Sequence, residues 1–370
     1  MKILLLSKFG RLGASSRMRS LQYLPLLESS RFQITLSPLI CDEMLSARYK
    51  KGRYGFFSLL RAYFNRYLAL KNKKQFDLIW IEKEVLPWIP LWVEQKLLRG
   101  ALYLLDYDDA IFHNYDQHKS VIARRLLGRK LDGLMAGATL VVGGNDYLMQ
   151  RARDAGAPKV EFLPTVIDLP RYPLKRVGHG NETADSDGLL RIVWIGSPST
   201  APYLRLLERP LQALAERHPF VLRIIGGGAF DLPKVRTEIV QWSEETEVDD
   251  ISACDIGIMP LNDSLWERGK CGYKLVQYMA CGLPTVASGV GVNSEIVREG
   301  DNGFIANSDS DWLTALTKLL ENPALRTQMG SAGRRRVEEE YCVQRTAPRL
   351  AELLDQAGDD TQYKNRAVTR

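Results

Sequence analysis

Between Gly269 and Ser288 the chain reads GKCGYKLVQYMACGLPTVAS, which spells a loop, a helix and a buried strand. Gly269 and Gly272 free the backbone just ahead of the helix. Lys274, Gln277 and Cys281 recur at i, i+3 and i+7 and so share one helical face, opposite the apolar stripe Leu275, Val276, Met279 and Ala280. Gly282-Leu283-Pro284 stops the helix, and Thr285-Val286-Ala287 starts a strand. A glycine loop entering a helix offers free N–H groups and the positive end of a dipole, which suits a phosphate. Lys274, in the first turn, is disfavoured by that dipole unless an anion such as a pyrophosphate sits nearby. The same residues also describe an ordinary helix–strand unit with a solvated lysine.

Other loops carry the residue types of an anion site. Gly196-Ser197-Pro198-Ser199-Thr200 follows a buried run and precedes a helical pattern at 203–214, so it reads as a second phosphate cradle or a simple cap. Gly226-Gly227-Gly228 permits either close ligand approach or a tight turn. Trp242, beside Ser243, reads as a core tryptophan or as a surface for a base. No G-x-x-x-x-G-K-[ST] occurs, which argues against a P-loop kinase. In the first half, residues 9–16 follow the first strand without a G-x-G-x-x-G, and Arg17 and Arg19 come next, to meet phosphate or solvent. Leu105-Asp106-Tyr107-Asp108-Asp109 ends another strand, where parallel sheets bind ligands; a cap and a surface salt bridge are the plainer reading. Glu82 and Glu84 stand at the end of a third strand. The four histidines show no ligand spacing, so no metal is expected.

These loops need strands to aim them. Apolar runs at 2–7, 32–39, 77–81, 102–105, 139–142 and 160–163 alternate with helical patterns, one at 18–27 and one opened by Asn145. A second series follows at 191–195, 222–225, 241–242, 256–259 and 285–287, then helices at 311–319, 323–329, 332–340 and 346–354. This is the pattern of two α/β domains: 1–173, a polar linker 174–190, 191–345, a helix 346–358 and a tail 359–370. With 370 residues there is enough chain for both, and 45% hydrophobic content is ordinary for a globular protein. Five cysteines without C-x-x-C spacing read as buried thiols in a reducing compartment. No apolar run is long enough for a transmembrane helix, and the start is read as a strand, not a signal peptide.

Charge is divided unevenly. Residues 1–175 carry 28 Lys+Arg against 16 Asp+Glu, whereas 176–370 carry 22 against 28. A basic half predicts contact with an anionic surface, and no nucleic-acid-binding signature is present. The stretch that opens at Arg48 and closes at Lys74 combines lysines and arginines with seven aromatics and no acidic residue. Phe57, Leu60, Phe64 and Leu68 share one helical side. The composition is that of an interfacial helix on anionic lipid, or of an amphipathic helix packed on its own sheet. Residues 118–130 add Arg124, Arg125, Arg129 and Lys130.

The signature stretch resembles the donor site of the GT-B glycosyltransferases, in particular the retaining family 4. There two glutamates flank a Phe-Gly step, and the helix continues Glu-Ala-Met-Ala-Cys-Gly-x-Pro. Here Gln277-Tyr278-Met279-Ala280-Cys281-Gly282-Leu283-Pro284 matches the second half, and Cys271-Gly272 takes the Phe-Gly step. Gln277 stands where the family holds the ribose, and Gly269 where it contacts the sugar; Glu267 is the nearest replacement carboxylate. The resemblance implies two Rossmann-like domains facing across a cleft, with a C-terminal helix crossing back to the first. It implies a nucleotide diphosphate sugar (UDP- or GDP-linked) as donor, contacted by Gly196, Ser197, Ser199, Thr200, Gly227, Trp242, Ser243, Lys270, Cys271, Gly272, Tyr273, Lys274, Leu275 and Gln277. Lys274 and Arg268 would stabilise the departing diphosphate, with Asp108 and Glu267 as further catalytic candidates and no metal or tightly bound cofactor. Gly13, Arg17, Glu84, Asp106 and Asp109 would face the acceptor. The expected activity is retaining sugar transfer to a membrane-proximal, lipid-linked or saccharide acceptor in bacterial cell-surface polysaccharide synthesis. The expected location is the cytoplasmic face of the inner membrane. A nucleotide-sugar epimerase and a non-catalytic nucleotide-binding subunit are the alternatives.

Overall fold

A computed structural model describes residues 1–28, 31–174 and 188–359. The expected linker and tail lie almost wholly outside them. Among the described residues the fold is α/β with two six-stranded sheets, every pairing parallel. The first sheet runs β2-β1-β3-β4-β5-β6, with β1 Lys2–Leu6, β2 Gln33–Leu36, β3 Leu78–Glu82, β4 Tyr103–Tyr107, β5 Leu140–Gly143 and β6 Val160–Phe162. The second runs β12-β11-β10-β7-β8-β9, with β7 Leu190–Ile195, β8 Phe220–Ile225, β9 Thr237–Val240, β10 Ile256–Met259, β11 Thr285–Ala287 and β12 Gly303–Ile305. Helices cover the inner strands on both faces, so β3, β4, β5 and β8 are buried at every residue.

The chain divides into two compact units. The first holds Met1–Val166, Gly269–Cys271 and the chain from Thr346 onward; the second holds Ile167–Arg268 and Gly272–Arg345. The last helix, Val343–Gly358, therefore starts in the second unit and has its body in the first. There the Thr346 hydroxyl lies 2.8 Å from the Tyr23 hydroxyl, and Arg349 donates to Glu161 at 2.7 Å.

Local chemistry explains where elements depart from the sequence reading. The helix expected at 18–27 is broken into Ala14–Arg19, a 3₁₀ turn Leu21–Tyr23 and Leu24–Glu28. Pro25 has no N–H to continue the ladder from Leu21. The helices expected at 323–329 and 332–340 are one, Pro323–Glu340. Gly330 lies mid-helix because a Cβ there would come 1.9 Å from the Gly282 carbonyl oxygen. The strand expected at 241–242 ends at Val240, and β12 carried no recognisable alternation in its three residues.

The first unit is pinned at the end of β4 by a buried ion pair. Arg19, 1% exposed, clasps Asp106, 2% exposed. Its other nitrogen donates to the Leu163 carbonyl at 2.8 Å. The helix Ala14–Arg19, strand β4 and the exit of β6 thus share one guanidinium. Breaking such a pair strands a charge in the core and costs about 3–5 kcal/mol. Arg19→Met is expected to lose that much in urea unfolding, and Arg19→Met/Asp106→Leu to regain part of it. A loss below about 1 kcal/mol in the single variant would place the pair among weak surface contacts.

Candidate functional site

In the second unit the signature residues form the helix Tyr273–Ala280, capped by Gly272 in the left-handed region. Glycine is required there twice over: φ is +64°, and a Cβ would meet the Ile296 side chain at 2.3 Å. Leu275, Val276, Met279 and Ala280 are buried and fix the helix rotation. Lys274 is thereby set half-buried, with its ammonium 4.3 Å from the centre of the Trp194 ring at the end of β7. This contact offsets part of the dipole penalty by about 0.5–1 kcal/mol. Gln277 is 3% exposed, and its amide donates to the Tyr172 hydroxyl at 3.2 Å. Tyr172 also bonds Tyr273. Burial, then the nearby Glu247 carboxylate, pushes the Tyr172 phenol well up, so it stays neutral.

The neighbouring loops are more occupied than the sequence implied. Ser197, Ser199 and Thr200 close on one another: the Thr200 hydroxyl takes the Ser197 N–H at 3.1 Å, and the Ser197 and Ser199 hydroxyls are 2.8 Å apart. The segment beyond is a 3₁₀ turn, Ala201–Leu207, not an α-helix start. Gly196 is half-buried and Gly227 buried. Trp242 is half-buried rather than core, and its indole N–H donates to Glu247 at 2.8 Å. Ser243 caps the turn to Thr246. Glu267 is 7% exposed with both oxygens engaged, by the Tyr203 and Ser264 hydroxyls. Arg268 is exposed and forms a two-pronged pair with Asp263 at 2.7 and 3.0 Å.

In the first unit, a cluster of charge sits at the carboxyl ends of β3 and β4. Lys83 has φ +66°, a strained value for a side-chain-bearing residue. Its ammonium is 2.8 Å from Asp108, donates to the Ser15 hydroxyl at 2.7 Å, and is 3.4 Å from Asp109. Ser15 in turn donates to Asp108 at 2.6 Å. Burial pushes the Asp108 carboxyl up, but Lys83 and Arg19 outweigh it and hold it below the usual range. Asp109 is raised instead, by burial and by Asp108 against the pull of Lys83. Asp109 is the more open of the two, with its side chain 32% exposed against 11% for Asp108.

The remaining candidates already make contacts within the protein. Asp106 is consumed by Arg19. Glu84 is buried, accepting from Tyr115 at 2.8 Å and from Lys130 at 2.7 Å, so it is not presented as a grip for a hydroxyl. Arg17 is buried and donates to the Arg11 carbonyl at 3.1 Å, neither solvated nor open to phosphate. Gly13 caps the Ala14–Arg19 helix. Lys270 and Cys271 belong to the first unit, where the Asn145 amide donates to the Lys270 carbonyl at 2.9 Å. Among the described residues no cluster of three His, Cys, Asp or Glu could hold a metal ion. Lys83, Ser15, Tyr172 and Trp194 were not singled out from sequence. Lys83 had a local signal in Glu82-Lys83-Glu84, a cation between two acids at a strand end, and Ser15 lay within the loop 9–16 after the first strand; Tyr172 and Trp194 had none.

Paired parallel sheets with these strand-end loops define the GT-B fold of glycosyltransferases. HepE from Anabaena, solved in complex with UDP, superposes with a TM-score of 0.70 at 16% identity, covering 96% of this chain and 100% of that one. Sucrose-phosphate synthase from Thermosynechococcus elongatus gives 0.69 at 15%, covering 96% and 98%. Residues 190–322 match the family model described as glycosyl transferases group 1. Spore coat protein SA of Bacillus subtilis (strain 168) is 31% identical over 316 residues, spanning 77% of this chain and 79% of that protein. The chain belongs to the group 1 glycosyltransferase family. A GDP-mannose-dependent monoacylated alpha-(1-6)-phosphatidylinositol monomannoside mannosyltransferase of Corynebacterium glutamicum is 26% identical over 234 residues. That alignment spans 57% of this chain and 60% of the mannosyltransferase, less than two thirds of its length.

The Lys83 cluster makes a pH-dependent prediction. In Lys83→Met, Asp108 stays buried without its contacting cation, so its folded pKa rises above the unfolded one. A raised carboxyl pKa leaves full stability in acid and removes it as pH climbs. The parent's lowered Asp108 contributes stability that fades only as pH falls through its own folded pKa, so the penalty is expected to become small only below the usual carboxylate range and to reach about 3–5 kcal/mol at pH 7. Urea unfolding across pH measures it, and Lys83→Met/Asp108→Asn should flatten the dependence. A penalty constant with pH would contradict the assignment.

Proposed function

We propose that this chain transfers a sugar from a nucleotide diphosphate sugar, with retention, to an acceptor at a membrane surface. The observation that carries the reading is Lys274, an ammonium held on an aromatic ring at the amino end of a glycine-capped helix. A fixed cation at the positive end of a helix dipole stabilises the charge that builds on a departing diphosphate. The family membership supports the chemistry. UDP-glucose in HepE and GDP-mannose in the name of the corynebacterial relative support a UDP- or GDP-sugar donor. In this reading residues 191–345, with Tyr172 of the same unit, bind the donor, and the rest of 1–173 binds the acceptor. Gln277 and Tyr172 meet the ribose, and Asp109 takes an acceptor hydroxyl. No protein base is required if a donor phosphate oxygen receives the acceptor proton.

The acceptor is read as lipid-linked, in cell-surface polysaccharide synthesis at the inner face of the cytoplasmic membrane. The relative that acts on a phosphatidylinositol mannoside supports a lipid-linked acceptor. So does the exposed apolar stripe of the helix Phe56–Lys71: Phe57 is 82% exposed, Leu60 59% and Phe64 57%, while Ala62, Arg66 and Leu70 face inward. Among the described residues no helix is long and apolar enough to cross a membrane. Replacing Lys50, Lys51, Arg53 and Arg61 by Gln should lower co-sedimentation with anionic vesicles, since each cation near the surface is worth about 1 kcal/mol. Equal sedimentation of variant and parent would contradict the lipid reading.

Lys274→Ala tests the donor site. It is expected to weaken UDP or GDP binding by about 2–4 kcal/mol in calorimetric titration. The loss of the Trp194 contact costs stability only about 0.5–1 kcal/mol, partly offset by the better helix propensity of alanine. Unchanged nucleotide affinity, or a large fall in Tm, would make Lys274 structural.

A further inference from the structure

We infer that the basic helix is one half of a lipid-binding face, and that Trp88, Trp92 and the outer side of the helix Val121–Leu127 form the apolar half. This extends the lipid-surface reading of the helix Phe56–Lys71 and rests on it. The first observation is the backbone at Trp88. Leu86-Pro87-Trp88-Ile89 is a turn closed by the Ile89 N–H on the Leu86 carbonyl at 3.2 Å. Proline suits its first central position. The second, with φ +62°, is one that glycine normally takes. A tryptophan held there is a strained arrangement. Yet the strain does not bury the ring, because Trp88 is 51% exposed. The turn is fixed from below by the Tyr115 hydroxyl, which accepts the Trp88 N–H at 3.1 Å.

The second observation is continuity. Tyr63, on the basic helix, donates to the Pro87 carbonyl at 2.8 Å, so that helix is tied to the Trp88 turn. The Trp88 ring meets His118 edge-on at 5.3 Å, two residues before the Ser120 cap of the helix Val121–Leu127. On that helix Ile122 is 71% exposed and Leu126 64%, one turn apart on one side. Trp92, 68% exposed, lies on the helix that follows the turn. Three separate segments of the first unit thus expose large apolar side chains along a connected path.

The third observation is charge, which selects the occupant. Arg125 and Arg129 are exposed beside Ile122 and Leu126, and the basic helix segment contributes no acid. Exposed tryptophans and aliphatics among cations complement an anionic bilayer, with rings at the headgroup level and arginines on phosphate. A second copy of this chain, pairing face to face, would bring the same positive charge against it.

The test uses the whole 370-residue chain with vesicles of equal parts phosphatidylglycerol and phosphatidylcholine. Acyl chains brominated near the headgroup should quench tryptophan fluorescence of the parent. Trp88→Phe/Trp92→Phe should lose most of that quenching while still sedimenting. Ile122→Glu/Leu126→Glu should sediment about tenfold less well, with unchanged Tm. Quenching retained in the first variant, or sedimentation retained in the second, would overturn the proposal while leaving the basic helix intact. A parent that does not sediment at all would overturn the lipid reading and this one together. Self-association in analytical ultracentrifugation that the glutamates abolish, without an effect on vesicles, would assign the face to a second copy and overturn the proposal.

Discussion

Every strand in each sheet runs parallel to its neighbours, and this one constraint decides where chemistry can occur. Parallel pairing demands a return connection between successive strands, so all strand-to-helix loops of a sheet leave from the same edge. In the first unit that edge gathers Ser15, Lys83 and Asp106 to Asp109 from segments far apart in sequence. In the second it gathers the Gly196 loop and Trp194. Buried apolar strands make the edge rigid, and the loops inherit that rigidity. The residues matter because of where the strands stop.

Two kinds of charge sit on these edges, and magnitudes separate them. Arg19–Asp106 and Lys130–Glu84 are buried on both sides, fully partnered, and hold elements together. Their removal would strand a charge, a structural cost of several kcal/mol. Lys274 is different: an aromatic face holds its ammonium at a helix end, a contact worth only about 0.5–1 kcal/mol. A cation fixed at a helix amino end is placed where an anion is favoured. Asp109 is likewise the open member of a cluster whose other acid is already neutralised by Lys83.

The strand–helix alternation, the signature helix and the basic aromatic helix were legible in sequence because each has a strong local period. Gly272 and Gly282 marked the signature helix boundaries, and the structure places the helix between them. What was not legible depends on contacts between distant segments. Nothing local says that Asp106 meets Arg19, that Tyr172 meets Gln277, or that Glu267 is engaged by Tyr203. The inward face of the helix Phe56–Lys71 was also hidden: its apolar stripe turns outward, and Arg66 points inward to the Ser7 and Ser37 carbonyls. Hydrophobic spacing gives a helix its faces but not which of them meets the sheet. Three-residue β12 was too short for any period to show.

The central claim is that the residues at these sheet edges act on a nucleotide diphosphate sugar. Turnover across a panel of UDP-, GDP- and ADP-sugars, followed as released nucleoside diphosphate with water as the default acceptor, tests it most directly. The account predicts slow release of UDP or GDP from at least one donor, with the freed sugar keeping the donor's anomeric configuration. Release with inversion would contradict retention. Conversion of the donor to a different sugar nucleotide would identify an epimerase. Nucleotide binding without turnover of any donor would contradict the transferase claim and identify a binding subunit on this scaffold.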